Sequence, residues 1–364
     1  MKTHIEQQAK IDFIGLVGKY RQMLMGLMIL WIIFLHMRIA FPPTFLGQGL
    51  RFFQGCGILA VDIFFLLSGF GLCFSKSGSH FSQFIKKRIF RILPAYWMVL
   101  GTETILLVIL GDGKTIGCVL RLFLGIEFPY SGNLDYWFIS AIIMCYVLFP
   151  FFRQILGNNQ TLRNAAIMIG ICLTVAILIS YTGVCRYLLV FVLRIPSFIL
   201  GIVLGRIVLE KRQLSFSPWN IGIVVLLFIL GLSFYGAVGK WASPYLKWNW
   251  GLYWYPGIIA SLPSCFLLAK LCDVVAKTGK AFCGFIGVLG GCTLEIYLSN
   301  CLLADLMRIN PVHKDILHVF RSSTLTVEIV IALMSLLLGV GLAYVIHGVR
   351  RVFSIQPMQH ANYR

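Results

Sequence analysis

Polar residues punctuate this chain at long intervals, and between them run apolar stretches of about 20 residues, the length a helix needs to cross a bilayer core. Ten such stretches can be drawn, at 22–41, 55–74, 93–111, 136–152, 164–181, 188–209, 219–237, 251–271, 282–303 and 327–349. The pattern predicts an all-α polytopic membrane protein of about ten transmembrane helices. The connections are short, the longest being 112–135 and 304–328 on the same side. No linker, repeat or low-complexity tract divides the 364 residues, so a single domain is expected over 1–364.

Composition agrees with the pattern. At 59% hydrophobic and 12% charged residues the chain is unlike any water-soluble domain, for which about 25% charge is usual. The formal charge of +18 would suggest nucleic acid in a soluble protein. Here basic residues gather at alternate helix ends: Lys2, Lys10, Lys19 and Arg21, then Lys76, Lys86, Lys87, Arg88 and Arg91, then Arg206, Lys211 and Arg212, and finally Arg350, Arg351 and Arg364. The positive-inside rule then puts both termini in the cytoplasm with an even number of crossings, and the lipid bilayer rather than nucleic acid is the expected partner.

Eleven cysteines include no CxxC pair, and Cys73, Cys145, Cys172, Cys265, Cys283, Cys292 and Cys301 lie in apolar runs as small core residues. No His, Cys and carboxylate cluster has ligand spacing, so no metal is expected. The first 21 residues carry both signs of charge and no small-residue cleavage site follows, which argues against a cleaved signal peptide. Trp241, Trp248, Trp250, Tyr253, Trp254 and Tyr255 fit an interfacial aromatic belt or a sugar-stacking surface.

Charges within spans cost about 2.5 to 3.5 kcal/mol on insertion scales, so each needs a partner or a task. Four ionisable residues stand out: His36, Asp62, Arg194 and Glu295. Counted along ideal helices from the cytoplasmic ends drawn above, all four fall about 18 to 22 Å above the inner face. One polar layer is therefore expected. It serves either as a shared site or as a structural tie in which the carboxylates neutralise Arg194. A neutral imidazole beside a carboxylate can take a proton from a hydroxyl, the step O-acyl transfer requires. Asp62 or Glu295 is the expected partner of His36.

A second group lies in the connection 86–94, where Lys87, Arg88 and Arg91 precede Pro94. Arg88 and Arg91 share a face if the segment is helical. The cluster reads as a stop-transfer signal, or as a grip on a polyphosphate, because the guanidinium fork matches phosphate oxygens.

Taken together these motifs resemble the acyltransferase 3 family of bacterial membrane acyltransferases. The resemblance rests on 25–36 ending in His36, 61–70 containing Asp62 and Ser68, 87–94, 137–139, 194–201 opening on Arg194, and 294–298 containing Glu295. It implies a ten-helix core in the bacterial cytoplasmic membrane that takes an acyl group from a cytoplasmic acyl-coenzyme A, acetyl-coenzyme A first among them. The group goes to a hydroxyl of a surface glycan or lipid-linked sugar. By position His36 is the family's essential histidine, a general base or transient acyl carrier. Lys87, Arg88 and Arg91 correspond to the basic motif associated with coenzyme A. The family's arginine eleven residues before the histidine is Met25 here, with Arg21 one turn earlier. Some relatives carry a histidine where this chain has Asn300, which is given no catalytic part. The competing reading is a proton-coupled transporter or flippase of a cell-envelope intermediate, and a third is an accessory scaffold with a decayed site. Against transport, the sequence shows no inverted repeat and no matched pair of broken helices.

Overall fold

A computed structural model describes residues 12–75, 81–157, 160–212, 214–307 and 324–352. Among them the secondary structure is helical, without strands: α1 Phe13–His36, α2 Phe45–Gly55, α3 Ile58–Cys73, α4 Phe81–Ile109, α5 Ile116–Phe123, α6 Glu127–Ser131, α7 Trp137–Ile155, α8 Thr161–Thr182, α9 Leu189–Val192, α10 Ile195–Leu209, α11 Pro218–Trp241, α12 Pro244–Asn249, α13 Tyr255–Val275, α14 Lys280–Gly291, α15 Thr293–Leu306 and α16 Thr324–Val352. Among the described residues nine spans are long and apolar enough to cross a membrane, with α2 and α3 forming one of them, and α14 and α15 make a tenth bent by 71°. With ten crossings, α1 starts and α16 ends on the same face, the N-terminal face.

Several boundaries differ from the sequence expectation. The first span starts at Phe13 and stops at His36, because Asp12 caps it through Gly15 N at 2.8 Å and Phe13, Ile14, Leu16 and Val17 are buried. The stretch holding Lys87, Arg88 and Arg91 is not a connecting loop but the first turns of α4, with Pro94 in the helix interior. Proline has no N–H to give the carbonyl four residues back, which is that of Phe90. Arg350 on α16 fills the gap, its Nη2 donating to the Arg91 carbonyl at 2.9 Å and the Phe90 carbonyl at 3.4 Å. The α14–α15 bend follows Gly290 and Gly291, a pair that holds a helix weakly. The basic residues Lys2, Lys10, Lys76 and Arg364 lie outside the described residues, and so does the side chain of Arg351.

Helices approach closely where glycine removes a side chain, as membrane packing requires when lipid is as apolar as the interface. On α10, Gly201 rests on the Leu66 carbonyl and the Phe70 amide of α3, and Gly69 of α3 faces the Phe198 carbonyl in return. Gly26 of α1 and Gly290 of α14 form a similar crossing. These contacts lock α3 and α10 at the centre, with α1, α13 and α14 on one flank and α4, α7 and α8 on the other.

On the face opposite the N-terminal one, the α4–α7 connection is pinned by ions. Lys114 Nζ donates to the fully buried Glu103 at 2.8 Å and to Asp135 at 3.0 Å, while the Tyr136 hydroxyl donates to the other Glu103 oxygen at 2.5 Å. Burial works against the Lys114 charge, but these two carboxylates outweigh it and raise its pKa. Replacing Lys114 by Met strands the Glu103 carboxylate and is expected to cost on the order of 3 kcal/mol of stability. Thermal unfolding in detergent reads this, and Glu103→Gln in the same protein restores part of the loss.

Candidate functional site

The expected polar layer resolves into three places. His36 is the last residue of α1, 23 residues from Phe13 and so about 35 Å along the helix from the N-terminal face. Its Nδ1 lies 2.6 Å from the side-chain oxygen of Asn300 on α15, so neither Asp62 nor Glu295 orients it as the sequence suggested. Asn300, set aside on sequence grounds, is its neighbour across 264 positions of chain. The Asn300 amide nitrogen in turn donates to Ser335 Oγ of α16 at 3.2 Å, and Ser335 donates to the Ile331 carbonyl at 2.8 Å. Beside His36 is a cavity of about 40 Å³, room for a few waters, lined by Ile33, Arg38, Asn300, Glu328 and Ile331 among others. Sequence reasoning gave Asn300 no part and passed over Ser335, Arg38 and Glu328, although all of them lie inside the apolar runs drawn above, where a polar residue is itself a signal.

The second place is the centre of the bundle. Asp62 on α3 is buried against Gly257 of α13, where any Cβ would collide with its carboxylate, and accepts from Ser197 Oγ at 3.4 Å. Ser197 is joined to Ser261 at 3.2 Å. Arg194, 1% exposed, faces the charge of Asp62 and lies between the rings of Trp137 at 5.1 Å and Trp254 at 5.9 Å. Its Nη1 donates to the Val190 carbonyl, while its Nε has no partner among the described residues. Trp254 thus belongs to this box, whereas Trp241 and Trp248 are exposed as a belt would have them. Arg194 ends up here because Pro196 cannot prolong the preceding turn and starts α10 just after it. These residues tie α3, α7, α10 and α13 together. Ser68 sits half-buried on α3 about 9 Å beyond Asp62 toward the N-terminal face.

The third place is the basic end of α4. Arg88 is half-buried, its guanidinium 5.6 Å from the Phe84 ring, while Lys87 and Arg91 are exposed. Glu295, in the first turn of α15, has Arg91 and Arg350 as electrostatic neighbours together with His347 of α16. The bend after α14 is what brings the start of α15 to these cations, and a straight helix counted from 282 misplaces Glu295. Arg21 does not reach His36. It lies about 22 Å back along α1, where its Nε donates to the Leu67 carbonyl at 3.1 Å. Among the described residues, no three His, Cys, Asp or Glu side chains gather as a metal site.

One helix therefore joins two of the three places. Glu295, which has Arg91 of α4 and Arg350 as electrostatic neighbours, and Asn300 on His36 are five residues apart on α15, about 7.5 Å along its axis. Comparison with known protein families matches residues 23–348 to an acyltransferase domain. No curated protein and no solved structure matches the chain.

Proposed function

The chain belongs to the acyltransferase 3 family and is an integral-membrane acyltransferase, and on that premise we propose that it is an O-acyltransferase of the bacterial cytoplasmic membrane. It takes an acyl group, acetyl first among the candidates, from acyl-coenzyme A at the N-terminal, cytoplasmic face. It delivers the group to a hydroxyl of an extracytoplasmic glycan or glycolipid. The observation that carries this reading is the run of α15 from the cationic end of α4 to His36. A donor whose phosphates rest on Lys87, Arg88 and Arg91 has a thin, flexible arm to extend along α15, past the α14–α15 bend, to the imidazole.

At the far end the chemistry is proton transfer. His36 removes the proton of the acceptor hydroxyl as its oxygen attacks the thioester carbonyl. The C–S bond then breaks, and the imidazolium returns the proton to the departing thiolate. General base assistance of this kind contributes about 10² to 10⁴-fold. Asp62 and Arg194 do not touch the imidazole in this reading and serve to hold the central helices in register.

Phosphate binding at α4 has a direct test. The double substitution Arg88→Gln with Arg91→Gln is expected to weaken coenzyme A binding about tenfold or more, the loss of a charge-assisted contact. The remaining affinity becomes less sensitive to salt. Titration of coenzyme A into purified protein at two ionic strengths checks both, and unchanged binding returns the cluster to a topology signal.

One observation favours transport instead. The span 280–306 is broken by a 71° bend, as helices are in many transporters. Flux of a labelled lipid-linked sugar across vesicles that contain no acyl donor distinguishes that reading, which the acyltransferase reading predicts to be nil.

A further inference from the structure

A histidine can act as a base only through the nitrogen that lacks the proton, so its tautomer decides which way it works. Three observations fix that tautomer in this protein. The Ser335 hydroxyl has its hydrogen committed to the Ile331 carbonyl at 2.8 Å, so toward Asn300 it presents a lone pair. The Asn300 amide nitrogen, a donor only, fills that lone pair at 3.2 Å. The amide oxygen, an acceptor only, is thereby turned to His36 Nδ1 at 2.6 Å, and such a contact requires the hydrogen to be on Nδ1. Asn300 and Ser335 are both buried, so water competes weakly for these bonds.

We propose that Asn300, oriented by Ser335, is a positioning residue that holds the His36 proton on Nδ1 and leaves Nε2 as the basic nitrogen. The proposal rests on the reading of His36 as the base and adds to it the device that aims the base. An amide in this place orients the ring without adding a negative charge, which separates it from the carboxylate partner expected from sequence. The charged side chains that share the cavity, Arg38 of the α1 terminus and Glu328 of α16, flank the site.

The test is nitrogen NMR of the full-length protein in lipid nanodiscs, with histidine labelled at both ring nitrogens and the His36 signals assigned by their absence in His36→Ala. Imidazole in water prefers its proton on Nε2. The wild type at neutral pH is expected to show protonated Nδ1 and unprotonated Nε2 instead. Asn300→Asp, which still offers Nδ1 an acceptor, keeps this pattern, and Asn300→Leu loses it. In acyl transfer from acetyl-coenzyme A to methyl glucoside, Asn300→Leu lowers kcat about 10² fold with KM for the donor unchanged, Ser335→Ala lowers it less, and Asn300→Asp recovers most of it. A wild-type His36 with its proton on Nε2, or an Asn300→Leu protein with the wild-type tautomer and kcat, overturns the proposal. Either outcome leaves the base reading intact, since that stands or falls on His36→Ala.

Discussion

His36→Ala is expected to lower acyl transfer by about 10² to 10⁴-fold, the contribution of a positioned general base, while the protein still inserts and folds. The second half of that expectation comes from the structure. His36 is exposed at the end of its helix, so truncating it opens no cavity in the core. The end of α1 is held by other groups, since Gln54 Nε2 donates to the carbonyls of Phe34 and Met37, both at 2.7 Å. Release of free thiol from acetyl-coenzyme A in the presence of a hydroxyl acceptor measures the first part, and thermal unfolding in detergent measures the second. A well-folded His36→Ala protein with wild-type thiol release removes His36 from the chemistry.

The largest expected effect on stability is at Gly201. A Cβ there would run into the Leu66 carbonyl and the Phe70 amide on α3, backbone atoms that cannot turn aside as a side chain can. Gly201→Leu must therefore push α10 away from α3. The loss goes well beyond the 1 to 3 kcal/mol typical of overpacking. The protein is expected to be degraded or aggregated on extraction. Gly222→Leu, on α11 where a Cβ meets open space, is the matched control and should behave as wild type. Monodispersity on size exclusion and the midpoint of thermal unfolding read the difference. A Gly201→Leu protein as stable as the control would mean that α3 and α10 do not cross as described.

Much of the architecture was legible in the sequence because a bilayer imposes a length on every span, and that length survives as a run of apolar residues. Hydropathy is blind, however, to where a helix starts in polar sequence. The first span reaches back past Lys19 and Arg21 to Phe13, and the signal for it is a different one, Asp12 as N-cap ahead of apolar residues. Hydropathy is equally blind to bends. The run through Gly290, Gly291 and Cys292 is apolar throughout, so a straight count puts Glu295 level with His36, whereas the structure sets it beside Arg91 of α4 and Arg350 of α16.

The site was legible as a set of residues but not as a set of pairs. Helix-one histidine, buried aspartate and basic stretch each stood out as a polar residue in the wrong solvent. Their partners depend on which helices adjoin, which no local pattern encodes. Asn300 had no charge to make it conspicuous, and its value comes from α15 packing between α1 and α16. Of the two carboxylates offered for His36 on chemical grounds, Asp62 faces Ser197 and Arg194, and Glu295 has Arg91, Arg350 and His347 as its neighbours.

The central claim is that the acyl donor is held at the α4 cations from the N-terminal face and that the acyl group leaves from His36 toward the other face. Proteoliposomes with the N-terminal face outward, given labelled acetyl-coenzyme A outside and a glycan acceptor only inside, test it most directly. The account predicts labelled acceptor inside the vesicles for the wild type, almost none for His36→Ala, and, at limiting donor, about tenfold less for Arg88→Gln with Arg91→Gln. Label that appears only when donor and acceptor share a compartment, or that persists in His36→Ala, would contradict it.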